Sequence, residues 1–135
     1  MVALVFGGAV SAETLLERGK YLMNGVVACG NCHTPGSLMG KPDSSREFAG
    51  GHKWVEPPFT TYASNIPPDK ETGIGNWTDD QIFAAIRTGK RPDGSLIGPP
   101  MPGGLYSMIS DRDVWAIIAY LRQVKLVKNK VPRGV

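Results

Sequence analysis

Both cysteines of the 135-residue chain fall in one short stretch, Cys29-Gly30-Asn31-Cys32-His33. The spacing has a specific chemistry. C-x-x-C-H is the attachment sequence of a c-type haem. Each thiol adds to a vinyl group of the macrocycle and forms a thioether, and the histidine that follows lies under the iron as proximal ligand. Gly30 and Asn31 are small and turn-tolerant, which suits two sulfurs meeting one macrocycle edge. Two other chemistries use the same residue types and fit less well. A dithiol redox pair belongs in a βαβ context, and no such pattern surrounds these residues. A structural zinc site takes four ligands, and Cys29, Cys32 and His33 are too crowded to complete a tetrahedron with His52.

A second axial ligand must come from elsewhere in the chain. Met23, Met39, Met101, Met108 and His52 carry the right atoms. Met101 sits in Gly98-Pro99-Pro100-Met101-Pro102-Gly103-Gly104. Prolines on both sides stiffen that backbone, and glycines let it lie close to a flat ring. A thioether presented this way raises the reduction potential of a His-ligated iron. Met101 is therefore the favoured ligand, with Met108, His52 or an open position as alternatives. Met39 lies too near His33 in sequence to reach the opposite face easily, and Met23 reads as core.

Three segments have the pattern of helices that would position these groups. The first spans residues 13–23, with Leu15, Gly19 and Leu22 on one face and a stop at Asn24-Gly25. The second is Asp79–Thr88, opened by the capping box Thr78-Asp79-Asp80-Gln81 and ended by Gly89. The third opens at Ser110 and runs to about residue 124, with Val114, Ile117, Ile118 and Leu121 at i, i+3, i+4 and i+7. Between them lie two long irregular stretches. Residues 30–76 hold seven Gly and six Pro, and residues 89–104 hold five Gly and four Pro. No convincing strand alternation interrupts either. Loops of this length in a compact domain ordinarily have a task.

The 17 Gly and 11 Pro make up about a fifth of the chain, well above average usage. That excess excludes a tight-looped helical bundle, while 41% apolar residues exclude disorder. A small, loop-rich chain needs more than its side chains to hold it, and a covalent haem supplies that. The net charge of +3, from 15 basic and 12 acidic residues, is too slight for a nucleic-acid binder. The basic cluster Arg122, Lys125, Lys128, Lys130 and Arg133 reads as a solvated tail. Residues 2–10 are apolar and small, and Val10-Ser11-Ala12 follows; the run is too short to span a bilayer. Residues 1–12 are expected to be a signal-peptide remnant or N-terminal extension, and residues 13–135 a single exported monohaem domain.

Several stretches together resemble one family. Glu17-Arg18-Gly19-Lys20-Tyr21-Leu22 followed by Cys29-Gly30-Asn31-Cys32-His33-Thr34 is similar to the start of a class I c-type cytochrome. Asn65-Ile66-Pro67-Pro68-Asp69, Glu71-Thr72-Gly73-Ile74-Gly75-Asn76-Trp77-Thr78-Asp79, Arg91-Pro92-Asp93-Gly94, Pro99-Pro100-Met101-Pro102 and Ser110-Asp111-Arg112-Asp113-Val114 are more specific. They resemble one haem domain of the cytochrome c subunits of bacterial membrane-bound alcohol, aldehyde and gluconate dehydrogenases. Those subunits carry several C-x-x-C-H motifs, and this chain carries one.

The resemblance implies an all-α class I cytochrome c fold, three main helices with long Gly/Pro-rich loops around one covalent haem c. It implies His33 and Met101 as the iron ligands. It implies that Gly19 and Tyr21 bring the first helix against the last, around Trp115 and Tyr120. The Pro35 carbonyl would orient the His33 ring through its N–H, and Asn65, Thr60, Tyr62 and Trp77 would line the propionate side. The implied activity is one-electron transfer, taking electrons from a dehydrogenase and passing them to an oxidase or another cytochrome. A monohaem subunit bound permanently to a dehydrogenase is the alternative.

Overall fold

The computed structural model describes residues 12–134. The signal-remnant expectation for residues 1–12 falls almost wholly outside them. In chain order the elements are α1 (Leu15–Tyr21), α2 (Cys29–His33), β1 (Lys53–Glu56), β2 (Phe59–Tyr62), α3 (Asp79–Thr88), α4 (Gly103–Tyr106) and α5 (Asp111–Leu121). The three helices expected from patterning are α1, α3 and α5. Two short helices and an antiparallel hairpin are added to them, so the expectation of three helices with only loops between is corrected.

Local chemistry accounts for the helix starts. At α1 the Thr14 hydroxyl accepts from the Glu17 N–H, and the Glu17 carboxylate accepts from the Thr14 N–H. Thr78 and Gln81 make the same reciprocal pair at α3. At α5 the Ser110 hydroxyl takes the Asp113 N–H. Each cap satisfies donors that have no partner inside the helix.

The Asn24-Gly25 stop does not end the first helix as expected. The backbone widens there into a π-type turn over Leu22–Val26, and the Val27 N–H reaches the Leu22 carbonyl at 2.8 Å. The turn keeps Leu22 and Met23 buried in the core while carrying the chain toward Cys29.

Helices α1 and α5 cross, and α3 packs against α5 and α4. At the crossing Gly19 lies against the Ala116 backbone, and its missing side chain is what lets the two helices meet. Arg18 donates to both oxygens of Asp113 beside it, at 2.8 and 3.2 Å. Tyr21 instead faces solvent, and Trp115 stacks on Phe83 at 4.9 Å. The expected meeting point is therefore right for Gly19 and Tyr120 and shifted for Tyr21 and Trp115. The core around the crossing is Leu22, Met23, Phe48, Ile74, Ile82, Val114, Ala116, Ile117, Ile118 and Leu121.

The hairpin pairs Lys53 with Tyr62, Trp54 with Thr61, Val55 with Thr60 and Glu56 with Phe59. Val55 and Phe59, on its two opposite faces, are both exposed. With solvent on much of its surface it needs no apolar alternation, so patterning misses it.

The basic tail is not a free solvated segment. Arg122 donates to Asp79 at 2.7 Å and to the Trp77 carbonyl at 2.6 Å. Lys128 pairs with Glu71 and Arg133 with Asp93. The Asn129 amide donates to the Ala49 carbonyl at 2.7 Å, and its backbone N–H to the Thr72 hydroxyl at 2.9 Å. Residues 122–133 thus form a strap across loops 48–50 and 65–79. No described helix is long and apolar enough to cross a membrane.

Candidate haem site

Helix α2 is five residues long and consists of the motif itself. Cys29, Cys32 and His33 stand at i, i+3 and i+4, which places them on one helix face. Ala28 enters the helix in the left-handed region, at φ 51°. That conformation is costly for a residue with a Cβ, and here it turns the chain sharply into the motif. Both cysteines are free and half-buried. Cys29 packs against the core cluster, and burial pushes its thiol up to about 12.

The His33 ring is held by its Nδ1, 2.8 Å from the Ser64 carbonyl. A carbonyl only accepts, so Nδ1 carries the proton and Nε2 keeps its lone pair. Burial holds the imidazole pKa below its ordinary value, with the Ser64 hydrogen bond opposing it in part. The ring is thus neutral, oriented and free to ligate through Nε2. The Pro35 carbonyl, expected in this role, instead accepts from the Asp43 N–H at 2.9 Å. Pro35 directs the chain into the turns at Ser37–Met39 and Ser44–Arg46, while Ser64 arrives on a segment far away in sequence.

That segment is built to tight tolerances. The Gly50 N–H donates to the His33 carbonyl at 2.6 Å, and the Gly51 N–H to the Ala63 carbonyl at 2.8 Å. Gly50 has φ +70°, and a Cβ there would meet the Ala63 carbonyl at 2.3 Å. Only glycine satisfies both the angle and the space.

Asn65 is tied into the loop that follows it and into the C-terminal strap. It is 3% exposed, and its amide donates to the Thr72 hydroxyl at 3.0 Å and the Val127 carbonyl at 2.8 Å. With its donors engaged, Asn65 ties the loop to the strap, and its Oδ1 is buried without a partner. Trp77 packs against the core cluster. Thr60 and Tyr62 are half-buried on β2, with Lys53 over the Tyr62 ring.

The candidate axial ligands are now separated by environment. Met23 is fully buried in the core, Met39 is 76% exposed and Met108 83% exposed. His52 stacks edge-on against Trp54 at 4.4 Å. Met101 is half-buried, and its carbonyl accepts the Gly103 N–H at 2.9 Å where α4 begins. Tyr106, at the other end of α4, is half-buried. Burial pushes its phenol up to about 12, and the sulfurs of Cys29 and Cys32 add to the shift.

The site fits a covalent haem by its own chemistry: two free thiols and a ring nitrogen share one face, and the ring's other nitrogen is pinned by a carbonyl.

Asp69 anchors the loop that follows Asn65. Its Oδ1 accepts from the Thr72 hydroxyl and the Thr72 N–H, both at 2.7 Å. These bonds hold its carboxyl below the usual range, against a small opposing effect of burial. A folded-state pKa below the unfolded one stabilises the fold above the ordinary carboxylate value and is lost as pH falls through it. Asp69→Asn is therefore expected to lower the guanidinium midpoint at pH 7. The gap to wild type should narrow as pH falls below about 4; an equal gap at pH 7 and pH 3 would count against this account.

A family model described as "Cytochrome C oxidase, cbb3-type, subunit III" matches residues 14–121. The cytochrome c subunit of the quinone-dependent alcohol dehydrogenase of Gluconobacter oxydans is 38% identical over 98% of this chain and 27% of its own length. The gluconate 2-dehydrogenase cytochrome c subunit of Pantoea cypripedii is 37% identical over 80% of the chain and 23% of its own length. A dihaem c-type cytochrome of Cereibacter sphaeroides is 35% identical over 83% of the chain and 36% of its own length. The chain spans about a quarter of the length of the first two.

Proposed function

The chain belongs to this family of c-type cytochrome domains, and we propose that it is a one-electron carrier with one covalent haem c and His33/Met101 ligation. Membership brings with it haem and electron transport; the single haem, the ligand pair and the shuttling role are our reading. The observation that carries it is the His33 ring, neutral and fixed through the Ser64 carbonyl, beside two free thiols on the same helix face.

Cys29 and Cys32 would hold the group by thioethers, His33 would supply Nε2, and Met101 its sulfur. When bound, the group supplies an iron centre that takes up and releases one electron. The residues of the chain do the rest. Ser64 sets the ring angle and raises the basicity of Nε2. Met101 and its Pro/Gly loop would shield the held group from water and competing ligands. With His33 and Met101 both holding the group, no position would be left for substrate, and the domain would act as a carrier and not by itself as an enzyme.

In this reading residues 13–135 form one domain that works in the periplasm. It takes electrons from a dehydrogenase and passes them to an oxidase or another cytochrome, without nucleic acid. Transient redox contacts of this kind are small. The names of the relatives favour a second reading, in which the domain is held permanently by a dehydrogenase. The native mass on size exclusion separates the two, since a free carrier elutes alone.

The test of the ligand pair is Met101→Ala in the holoprotein. Its ferrous form should bind carbon monoxide stoichiometrically, where the parent binds little, and its potential should fall while the haem stays attached. Rapid binding by the parent, or unchanged methionine ligation in the variant, would overturn the assignment.

A further inference from the structure

The strap at the C-terminal end fastens both segments that hold His33, although it lies some 95 residues away along the chain and touches neither His33 contact directly. His33 is gripped twice: its ring by the Ser64 carbonyl and its own carbonyl by the Gly50 N–H. The two gripping segments are hydrogen-bonded together, Gly51 N–H to the Ala63 carbonyl and Ile66 N–H to the Phe48 carbonyl at 3.1 Å. Next to each grip the strap makes one bond. The Asn129 amide donates to the carbonyl of Ala49, the residue before Gly50. The Val127 carbonyl accepts from the amide of Asn65, the residue after Ser64.

The two bonds share an anchor. The Thr72 hydroxyl accepts from the Asn65 amide at 3.0 Å and the Asn129 N–H at 2.9 Å, and donates to Asp69 at 2.7 Å. One donor and two acceptor positions are the full capacity of a hydroxyl, so this junction has no slack. Ala49, Gly50, Ala63 and Asn65 are all buried. A bond made among buried groups is costly to leave unmade.

We infer that Asn129, with the Val127 carbonyl, is a positioning element for the His33 imidazole, acting through Ala49–Gly50 and Asn65–Ser64. It sets how firmly the Nδ1–H is held on Ser64, and hence the direction and basicity of the Nε2 lone pair. The inference rests on His33 as the axial ligand and extends that reading to residues outside the motif.

The test is hydrogen exchange of the His33 Nδ1–H in 15N-labelled ferrous holoprotein, compared with the buried amide of Ile117 as a reporter of global opening. Asn129→Asp keeps the size and removes the donors. It should speed exchange at His33 Nδ1 roughly tenfold more than at Ile117 and shift the reduction potential. Asn129→Gln, which retains the amide, should return part of the protection, and Lys130→Ala should leave both sites at the parent rates. Equal acceleration at both sites in Asn129→Asp would mean a merely structural tail and would overturn the inference. Should that variant not accumulate with haem, Asn129→Ser carries the same comparison. Failure of the underlying reading has its own sign, His33 ring resonances at free-imidazole positions in the parent holoprotein.

Discussion

Gly19→Ala is expected to destabilise the protein by about 3 kcal/mol or more, the upper end for overpacking. The added Cβ would lie 1.9 Å from the Ala116 carbonyl oxygen, 2.7 Å from its carbon and 2.8 Å from the Tyr120 Cβ. The first two are backbone atoms and cannot rotate away. Relief comes only by moving α1 from α5, which unpacks Leu22 and Met23 from Ile117 and Ile118 and strains the Arg18–Asp113 pair. Guanidinium unfolding followed by circular dichroism measures the loss. Gly104→Ala is the control: a Cβ there meets nothing within 4 Å, so its effect should stay within about 0.5 kcal/mol. A Gly19→Ala midpoint equal to the parent's would show that the crossing is looser than the geometry states.

The paired change Cys29→Ala with Cys32→Ala is expected to remove the covalent haem band from a denaturing gel and to leave little folded protein. Its first effect follows from thioether chemistry, because the chain has no other cysteine. The second follows from architecture. Cys29 packs against the core cluster, and the segments that carry Gly50 and Ser64 converge on His33. Much of that convergence is loop, with few apolar side chains to stabilise it in the absence of a group between them. A double variant that melted like the parent would refute the dependence of fold on attachment. Cys32→Ala alone should keep one thioether and give a weaker band.

The motif, the caps of α3 and α5 and the apolar stripe of α5 were legible because each is a local pattern. The Thr14–Glu17 capping box, which the sequence analysis did not use, starts α1 at Leu15, two residues later than expected. The hairpin was not legible, because its exposed strands carry no alternation. Nor was the exchange of Pro35 for Ser64 as the partner of His33. A backbone carbonyl belongs to every residue, so no side-chain pattern marks the one that will be used. The tail misled for a related reason. Charge composition shows that it is basic, but whether each cation meets solvent or a carboxylate depends on where Asp79, Glu71 and Asp93 lie in space.

By itself, then, the amino-acid sequence determined the chemistry of the site. The C-x-x-C-H spacing carries the proposal of thioether attachment and an adjacent ligand, since those constraints act over five residues and need no distant partner. The sequence also determined the long helices, whose caps and stripes are local. Tertiary structure alone decided how the imidazole is aimed, that Met101 is half-buried while Met39 and Met108 are exposed, and that the last twelve or so residues brace the segments around His33. Those outcomes depend on contacts between residues 30 to 100 positions apart, and such contacts come from the packing of the helices around the Gly19 crossing.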